Sequence, residues 1–272
     1  MKYTAQSSKY ILKNFIYIFP FAVIPAFFLS IATDENALIS VLRKFVYQKI
    51  SEWEFYELFR AISVANFGSW QSVVFGILGI ILIVVCVALM MALIEKHFRI
   101  GKRTFNGIFS KLNDNLISTA GYIFLILAIY QIWSVLLSAF LFAVSRIPYS
   151  FISYPLSALF FLGMHVVLIY IIGALYLWLS CMQITGFKAL EALHYSYQLL
   201  TPLKIKLIFV QLGVLLGAEC LICLCVVFAP NPIFFVILTT FLYMLMIMVY
   251  CVRMQIVYFD RDNIERRDER KY

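Results

Sequence analysis

The sequence predicts an all-α fold: a polytopic membrane helical bundle with six transmembrane helices in three hairpins and interfacial amphipathic helices. Three observations carry that prediction. Six apolar runs are each long enough to cross a bilayer, which takes about 20 helical residues. Of 272 residues, 64% are hydrophobic and 13% charged, against about 45–50% and 25% in soluble domains. Basic residues gather in alternate connections between the runs. The alternating pattern of a β-barrel is absent, and an open sheet edge is not tolerated in lipid. No Gly/Ser/Pro-rich linker divides the chain, so 1–272 reads as a single integral membrane domain.

The spans fall at about 14–32, 70–94, 116–144, 154–182, 205–228 and 232–258. The first carries Pro20 and Pro25 and lacks a small-residue cleavage site, so it reads as a retained span rather than a signal peptide. The third and fourth are long enough to tilt or to extend past the lipid. Ala229-Pro230-Asn231-Pro232 reads as a tight turn, and Pro232 suits the first turn of a helix.

Alternation puts both termini and the 95–115 and 183–204 connections on one side. Of the 22 Lys and Arg, only Arg43, Lys44, Lys49, Arg60 and Arg146 fall on the other side. That asymmetry places both termini in the cytoplasm of a multi-pass plasma (cell) membrane protein. The net charge of +8 is then explained by anionic lipid at the cytoplasmic face and not by nucleic acid. Trp70 and Trp178 fall near the two interfaces, and Trp133 falls mid-span as a packing residue.

Each hairpin follows a polar or amphipathic segment. In Gly101–Asn115, Phe105, Ile108, Phe109 and Leu112 follow helical spacing among basic residues, as in a helix lying in the interface. Gly186–Leu200 has a similar stripe, and Met1–Lys13 is a weaker version. Lys102, Arg103, Lys111, Lys204 and Lys206 are the expected lipid headgroup-facing residues. Ser8-Lys9 with Asn14, Ser110-Lys111 with Asn115, and Ser196-Tyr197 echo one another at unequal spacing. An ancestral hairpin repeat and a generic junction pattern both explain the echoes.

The outer amphipathic segment, 33–69, holds two helical stripes: Leu38, Val41, Leu42 and Phe45, then Phe55, Leu58, Phe59 and Ile62. Asp34 and Ser51 stand where N-caps would be. The segment lies on the outer leaflet or caps the bundle; partner binding is the sharper alternative. The tail from Asp260 to Tyr272 reads as a solvated helical extension or a frayed end.

The candidate intramembrane polar site is Glu219, Gln211, His165 and Gln131. Glu219 has no Lys or Arg in its membrane layer, so it must be protonated, hydrogen-bonded inside the bundle or open to water. Its readings are proton coupling or substrate contact, or a neutral acid bonding a neighbouring helix. His165 is either a satisfied core histidine or a relay. Gln131 and Gln211 are expected to bond between helices, and Gln211 can share a helix face with Glu219. His97 and His194 read as polar-face residues at the interface. Cys220, Cys223 and Cys225 lack enough converging ligands for a metal, and all six cysteines read as buried small hydrophobes. No phosphate-binding, nucleophile-elbow, zinc or dinucleotide motif is present. No catalytic residue, metal or cofactor is expected, and the chain is expected not to be an enzyme.

The run from Arg103 to Ser110 (Arg-Thr-Phe-Asn-Gly-Ile-Phe-Ser) with Asn115, and the run from Ala189 to Ser196, carry a resemblance. The chain resembles the membrane domain found beside glycerophosphoryl diester phosphodiesterases, and related bacterial six-span membrane proteins. The catalytic barrel of those enzymes has no counterpart in this sequence, so their activity is not carried over. The expected role is accessory: handling lipid or envelope components, with membrane lipids and a membrane or envelope protein as partners. The alternative is a small transporter or permease subunit with a polar seam around Glu219.

Overall fold

A computed structural model describes residues 2–64, 68–201, 203–228 and 231–269. The elements are α1 (Lys2–Ala32), α2 (Glu35–Val46), α3 (Phe55–Ile62), α4 (Trp70–Ile100), α5 (Ile108–Ser145), α6 (Ser150–Ala174), α7 (Trp178–Thr185), α8 (Ala189–Leu200), α9 (Lys204–Phe228) and α10 (Pro232–Arg261), with 3-10 turns at Ile50–Glu52 and Arg267–Glu269. No strand occurs among the described residues. The described residues include six helical stretches long and apolar enough to cross a membrane: α1, α4, α5, α6 with α7, α9 and α10. The chain is a multi-pass, all-α membrane protein.

The six spans close into a ring. Around it the order is α1, α4, α5, α6, α9 and α10, with α10 returning to α1. The three hairpins lie in this ring as α1/α4, α5/α6 and α9/α10, and α1 packs on α10 as well as on its own hairpin partner. Lys2 Nζ lies 3.1 Å from Asp260 Oδ1, which puts the two ends of the chain together. That side of the bundle is called the terminal end below.

Each end of the ring carries a short helical cover. At the terminal end α7 leans inward against α5 and α10, with α8 behind it. Tyr176, Leu177, Leu179 and Cys181 are fully buried there. At the far end α2 packs on α9 and α3 on α5. Ile50, Trp53 and Leu58 of this cap share a core with Trp133, Leu137, Leu141 and Leu168 of the ring.

Sequence and structure part company at the junctions. The expected span at 154–182 is broken: α6 ends at Ala174, and α7 starts again at Trp178. No Gly or Pro marks 175–177; the apolar run continues while the helix turns inward, because α7 buries itself in the bundle. The expected interfacial helix at Gly101–Asn115 is not one unit. Residues 101–107 form a loop bracketed by left-handed Gly101 (φ 78°) and Gly107 (φ 70°), and the rest is the first part of α5. A side chain at either φ would be strained. The N-terminal segment is continuous with the first span and bends at Asn14 (φ −119°, ψ 19°). Gly186–Leu200 does contain a separate helix, α8.

Asp34 caps α2 as expected, accepting from the Ala37 amide at 3.0 Å. Ser51 does not cap α3: it lies in the 3-10 turn, and Glu54 occupies the cap position without a side-chain bond. The tail up to residue 269 is not a solvated extension. After α10 it folds back, setting the Arg266 guanidinium 4.3 Å from the Phe98 ring centroid and pairing with Asp268 at 2.9 Å. His97 is not a polar-face residue: it is buried and 2.8 Å from Tyr10 Oη. Ala229 and Pro230 of the expected turn, and Arg270 to Tyr272 of the tail, lie outside the described residues.

Candidate functional site

The polar site is assembled between two antiparallel spans. His165 on α6 is buried, and its Nε2 lies 3.0 Å from Glu219 Oε1 on α9. Eight residues along each helix, the Gln211 amide oxygen lies 3.7 Å from where a Cβ on Gly173 would stand. The Gln211–Gly173 and Glu219–His165 rungs follow from one register: eight residues is a little over two helical turns, so each helix keeps one face toward the other. Gly173 gives Gln211 room, and His165 gives Glu219 a partner.

The histidine's other nitrogen fixes the proton count. Nδ1 lies 2.7 Å from the Phe161 carbonyl oxygen. A carbonyl only accepts, so Nδ1 carries a hydrogen and donates. Nε2 then has two states compatible with a hydrogen bond to Glu219. Either His165 is neutral and a protonated Glu219 donates to Nε2, or His165 is an imidazolium and donates to a carboxylate. Both states hold one exchangeable proton and carry no net charge. Removing that proton, or adding a second, changes the net charge of the pair by one.

Packing holds the imidazole in place. Trp133 meets it edge-on with ring centroids 4.8 Å apart, and Phe161 lies 4.2 Å away by the same measure. Trp133 is itself fixed by donating Nε1–H to the Met164 carbonyl at 2.7 Å. Glu219 is less enclosed, with 30% of its side chain exposed. Its Oε1 bonds to His165, while Oε2 is buried without a hydrogen-bond partner. Tyr130 of α5 and Tyr243 of α10 lie within its electrostatic reach. The carboxyl therefore joins α9 to α6 and keeps one acceptor unused.

Of the four candidate residues, the structure joins His165 and Glu219. Gln211 is buried on the same face of α9, but neither of its amide atoms has a partner. Gln131 belongs elsewhere. It exchanges hydrogen bonds with the Ser63 hydroxyl, accepting at 3.0 Å and donating at 2.8 Å, and so pins the far-end cap to α5. The expected bond between helices forms at Gln131, to the residue that caps α3, and does not form at Gln211.

Three of the five expected headgroup residues have partners in the protein. Arg103 donates to Asn14 Oδ1 at 2.7 Å, and Lys111 lies 2.8 Å from Glu95 Oε2. Lys204 donates to Tyr170 Oη at 3.0 Å, and its ammonium lies 4.2 Å from that ring's centroid and 5.2 Å from the centroid of Tyr197. Lys102 and Lys206 are exposed. Among the described residues no group of three His, Cys, Asp or Glu converges to hold a metal. Cys220 is exposed, and Cys223 is part-exposed rather than buried. The Cys225 side chain lies outside the described residues.

The sequence reading passed over a second set of charged groups. Glu95 is buried on α4 and pairs with Arg99 and Lys111, each at 2.8 Å. Arg60 donates Nε–H to Asp34 Oδ2 at 2.8 Å beside a cavity of about 240 Å³ at the far end, where Ser30, Thr33, Ser69 and Ser72 also line the wall. Arg253 is buried on α10. A charge at the edge of a predicted span signals such groups only when its partner is known, and apart from Arg99, which follows Glu95 on α4, these partners come from elsewhere in the chain.

Comparison with known proteins adds no neighbour: no family model, no curated protein and no solved structure matches the chain.

Proposed function

We propose that this chain is a non-enzymatic carrier, a small transporter or permease subunit, in which His165 and Glu219 bind the coupling proton. The single observation that carries this reading is the one-proton hydrogen bond between them, with Glu219 Oε2 buried and unpartnered. A solute donor reaching Oε2 would compete with the shared proton, which is how binding and protonation become coupled. The six-span ring supports the reading, because its two covered ends offer elements to open in turn. The basic bias of the sequence supports a plasma-membrane orientation with the terminal end in the cytoplasm.

The test is reconstitution in sealed vesicles carrying an internal pH indicator. With a library of small solutes outside, the wild type is expected to move protons with at least one of them. Glu219→Gln, which can still donate an amide N–H to His165 Nε2, is expected to fold and move none. Solute-driven proton movement that survives in Glu219→Gln would end the carrier reading.

A second reading keeps the accessory role in lipid or envelope handling. Its support is the cap, whose Phe45, Tyr47 and Tyr56 are 43%, 72% and 49% exposed. Such aromatics suit a leaflet surface or a membrane protein partner. The resemblance to phosphodiesterase-associated membrane domains belongs with this reading. Crosslinking from position 47 to one defined envelope protein, together with no proton movement in vesicles, would favour it over the carrier.

A further inference from the structure

Three charged residues other than histidine are buried among the described residues: Asp34, Glu95 and Arg253. Asp34 is matched by Arg60, and Glu95 by Arg99 and Lys111. Arg253 differs. It is 4% exposed, and no carboxylate stands within ion-pair distance of it among the described residues. Its Nε–H donates to Tyr176 Oη at 3.0 Å, and its guanidinium carbon lies 5.5 Å from that ring's centroid. Its Nη1 is buried with no acceptor.

An arginine cannot shed its charge as a lysine or histidine can. Desolvating it against a neutral phenol leaves most of the electrostatic cost standing. The remaining donors form a planar fork, and the partner that fits such a fork is an oxyanion accepting two parallel N–H bonds.

The position is also specific. Tyr176 lies in the break between α6 and α7, and its hydroxyl donates onward to the Tyr250 carbonyl at 3.3 Å. Gln183 of α7 donates to Thr119 of α5 at 2.7 Å. Arg253 thus stands directly against the element that covers the terminal end of the ring. It lies eight residues before the last residue of α10, roughly 12 Å along the helix.

We infer that Arg253 is the core of an oxyanion site of phosphate type, set beside the α7 cover at the terminal end. This site is separate from His165 and Glu219 and does not depend on the carrier reading. Its phosphate comes from a lipid headgroup entering between helices or from a free anion; the chemistry at the guanidinium is the same.

Purified full-length protein in neutral detergent distinguishes the sources. In one arm inorganic phosphate is titrated while the melting temperature is followed. In the other, phosphatidylglycerol is added, and retention is read by native mass spectrometry alongside melting. Stabilisation by phosphate identifies a free-anion site; stabilisation and retention with the lipid alone identify a headgroup site. Either result is expected to weaken about tenfold or more in Arg253→Gln and to persist in Lys206→Gln, where the lysine is exposed. Tyr176→Phe, which leaves the guanidinium intact, covers the case in which Arg253→Gln does not fold: it is expected to keep binding. No effect of either ligand on the wild type would overturn the inference, as would an undiminished response in folded Arg253→Gln.

Discussion

The two sides of the ring are packed in different ways. On the α1/α4/α10 side, backbones approach closely. A Cβ on Gly79 of α4 would stand 2.9 Å from Leu29 Cδ2 and 3.3 Å from the Leu29 amide nitrogen, and one on Gly76 would meet Ala32. Hydroxyls tie α1 to α10: Ser30 donates to the Val236 carbonyl at 2.9 Å, and Thr33 bonds Tyr243 at 3.1 Å. On the α6/α9 side, a Cβ on Gly173 would meet only side chains, Ile208 at 3.5 Å and the Gln211 amide oxygen at 3.7 Å, and the exposed Gly163, Gly213 and Gly217 face no other helix. Lipid tails are as apolar as leucine, so close packing and hydrogen bonds, not hydrophobicity, hold spans together. The difference teaches that α1, α4 and α10 form a closely packed frame, while α9 is the least enclosed span. The His165–Glu219 pair lies on the less enclosed side.

The largest effect expected from breaking this contrast comes from paired glycine substitutions. Gly79→Val should cost about 1–3 kcal/mol, because the neighbouring backbone of α1 cannot give way. Gly213→Val should stay within about 0.5 kcal/mol. Chemical unfolding in mixed micelles measures both. Equal losses would show that α9 is packed as tightly as the frame.

Next comes the pair itself. Glu219→Ala should cost about 1–3 kcal/mol by orphaning His165 Nε2, whereas Glu219→Gln should melt close to the wild type. A Glu219→Gln variant as weak as Glu219→Ala would mean that the charge, rather than the hydrogen bond, holds α6 to α9.

The far-end cap sharpens the comparison locally. Asp34→Ala removes the α2 cap and the partner of Arg60, and should cost about 1 kcal/mol. Hydrogen exchange should rise in 35–46 and not in α1, α4 or α10. Faster exchange throughout the frame would show that the cap supports the whole bundle.

The smallest effect is a pH dependence of the same cap. Burial alone would raise the Glu57 carboxyl, but hydrogen bonds from Lys44 and Ser40, and the Lys44 charge 2.6 Å away, outweigh it and hold it below the usual carboxylate value. A carboxyl depressed in the folded state stabilises fully above its unfolded value, and that contribution is lost as pH falls through the folded one. Protection in 35–62, taken relative to intrinsic amide exchange at each pH, should therefore fall only as pH drops below the ordinary carboxylate range, and Glu57→Gln should flatten the dependence. A loss of protection on the alkaline side would contradict the assignment.

Much of this architecture is legible in the sequence. Span number, the Asp34 cap and the oddity of Glu219 follow from local composition. The ring order does not, because α1 and α10 come from opposite ends of the chain, and apolar periodicity does not say which face meets which helix. The α6–α7 break is hidden for the same reason: Leu175, Tyr176 and Leu177 are as apolar as a continuing span. His165 and Glu219 were each visible alone, but their pairing depends on the α6/α9 register. Gln131 is expected from the sequence to bond another helix, but that its partner is Ser63, at the end of α3 in the outer segment, depends on the cap folding onto α5. Arg253 was counted among the basic flank because its burial comes from helices elsewhere in the chain.

The most direct measurement is the nitrogen-15 chemical shift of the His165 imidazole in the wild type and in Glu219→Gln. In the wild type, Nε2 should show the intermediate shift of a nitrogen sharing a proton with the carboxyl, while Nδ1 carries its hydrogen. In Glu219→Gln, Nε2 should show the shift of a bare acceptor nitrogen, with the ring's hydrogen on Nδ1. An Nε2 shift alike in both proteins would show that no proton is shared.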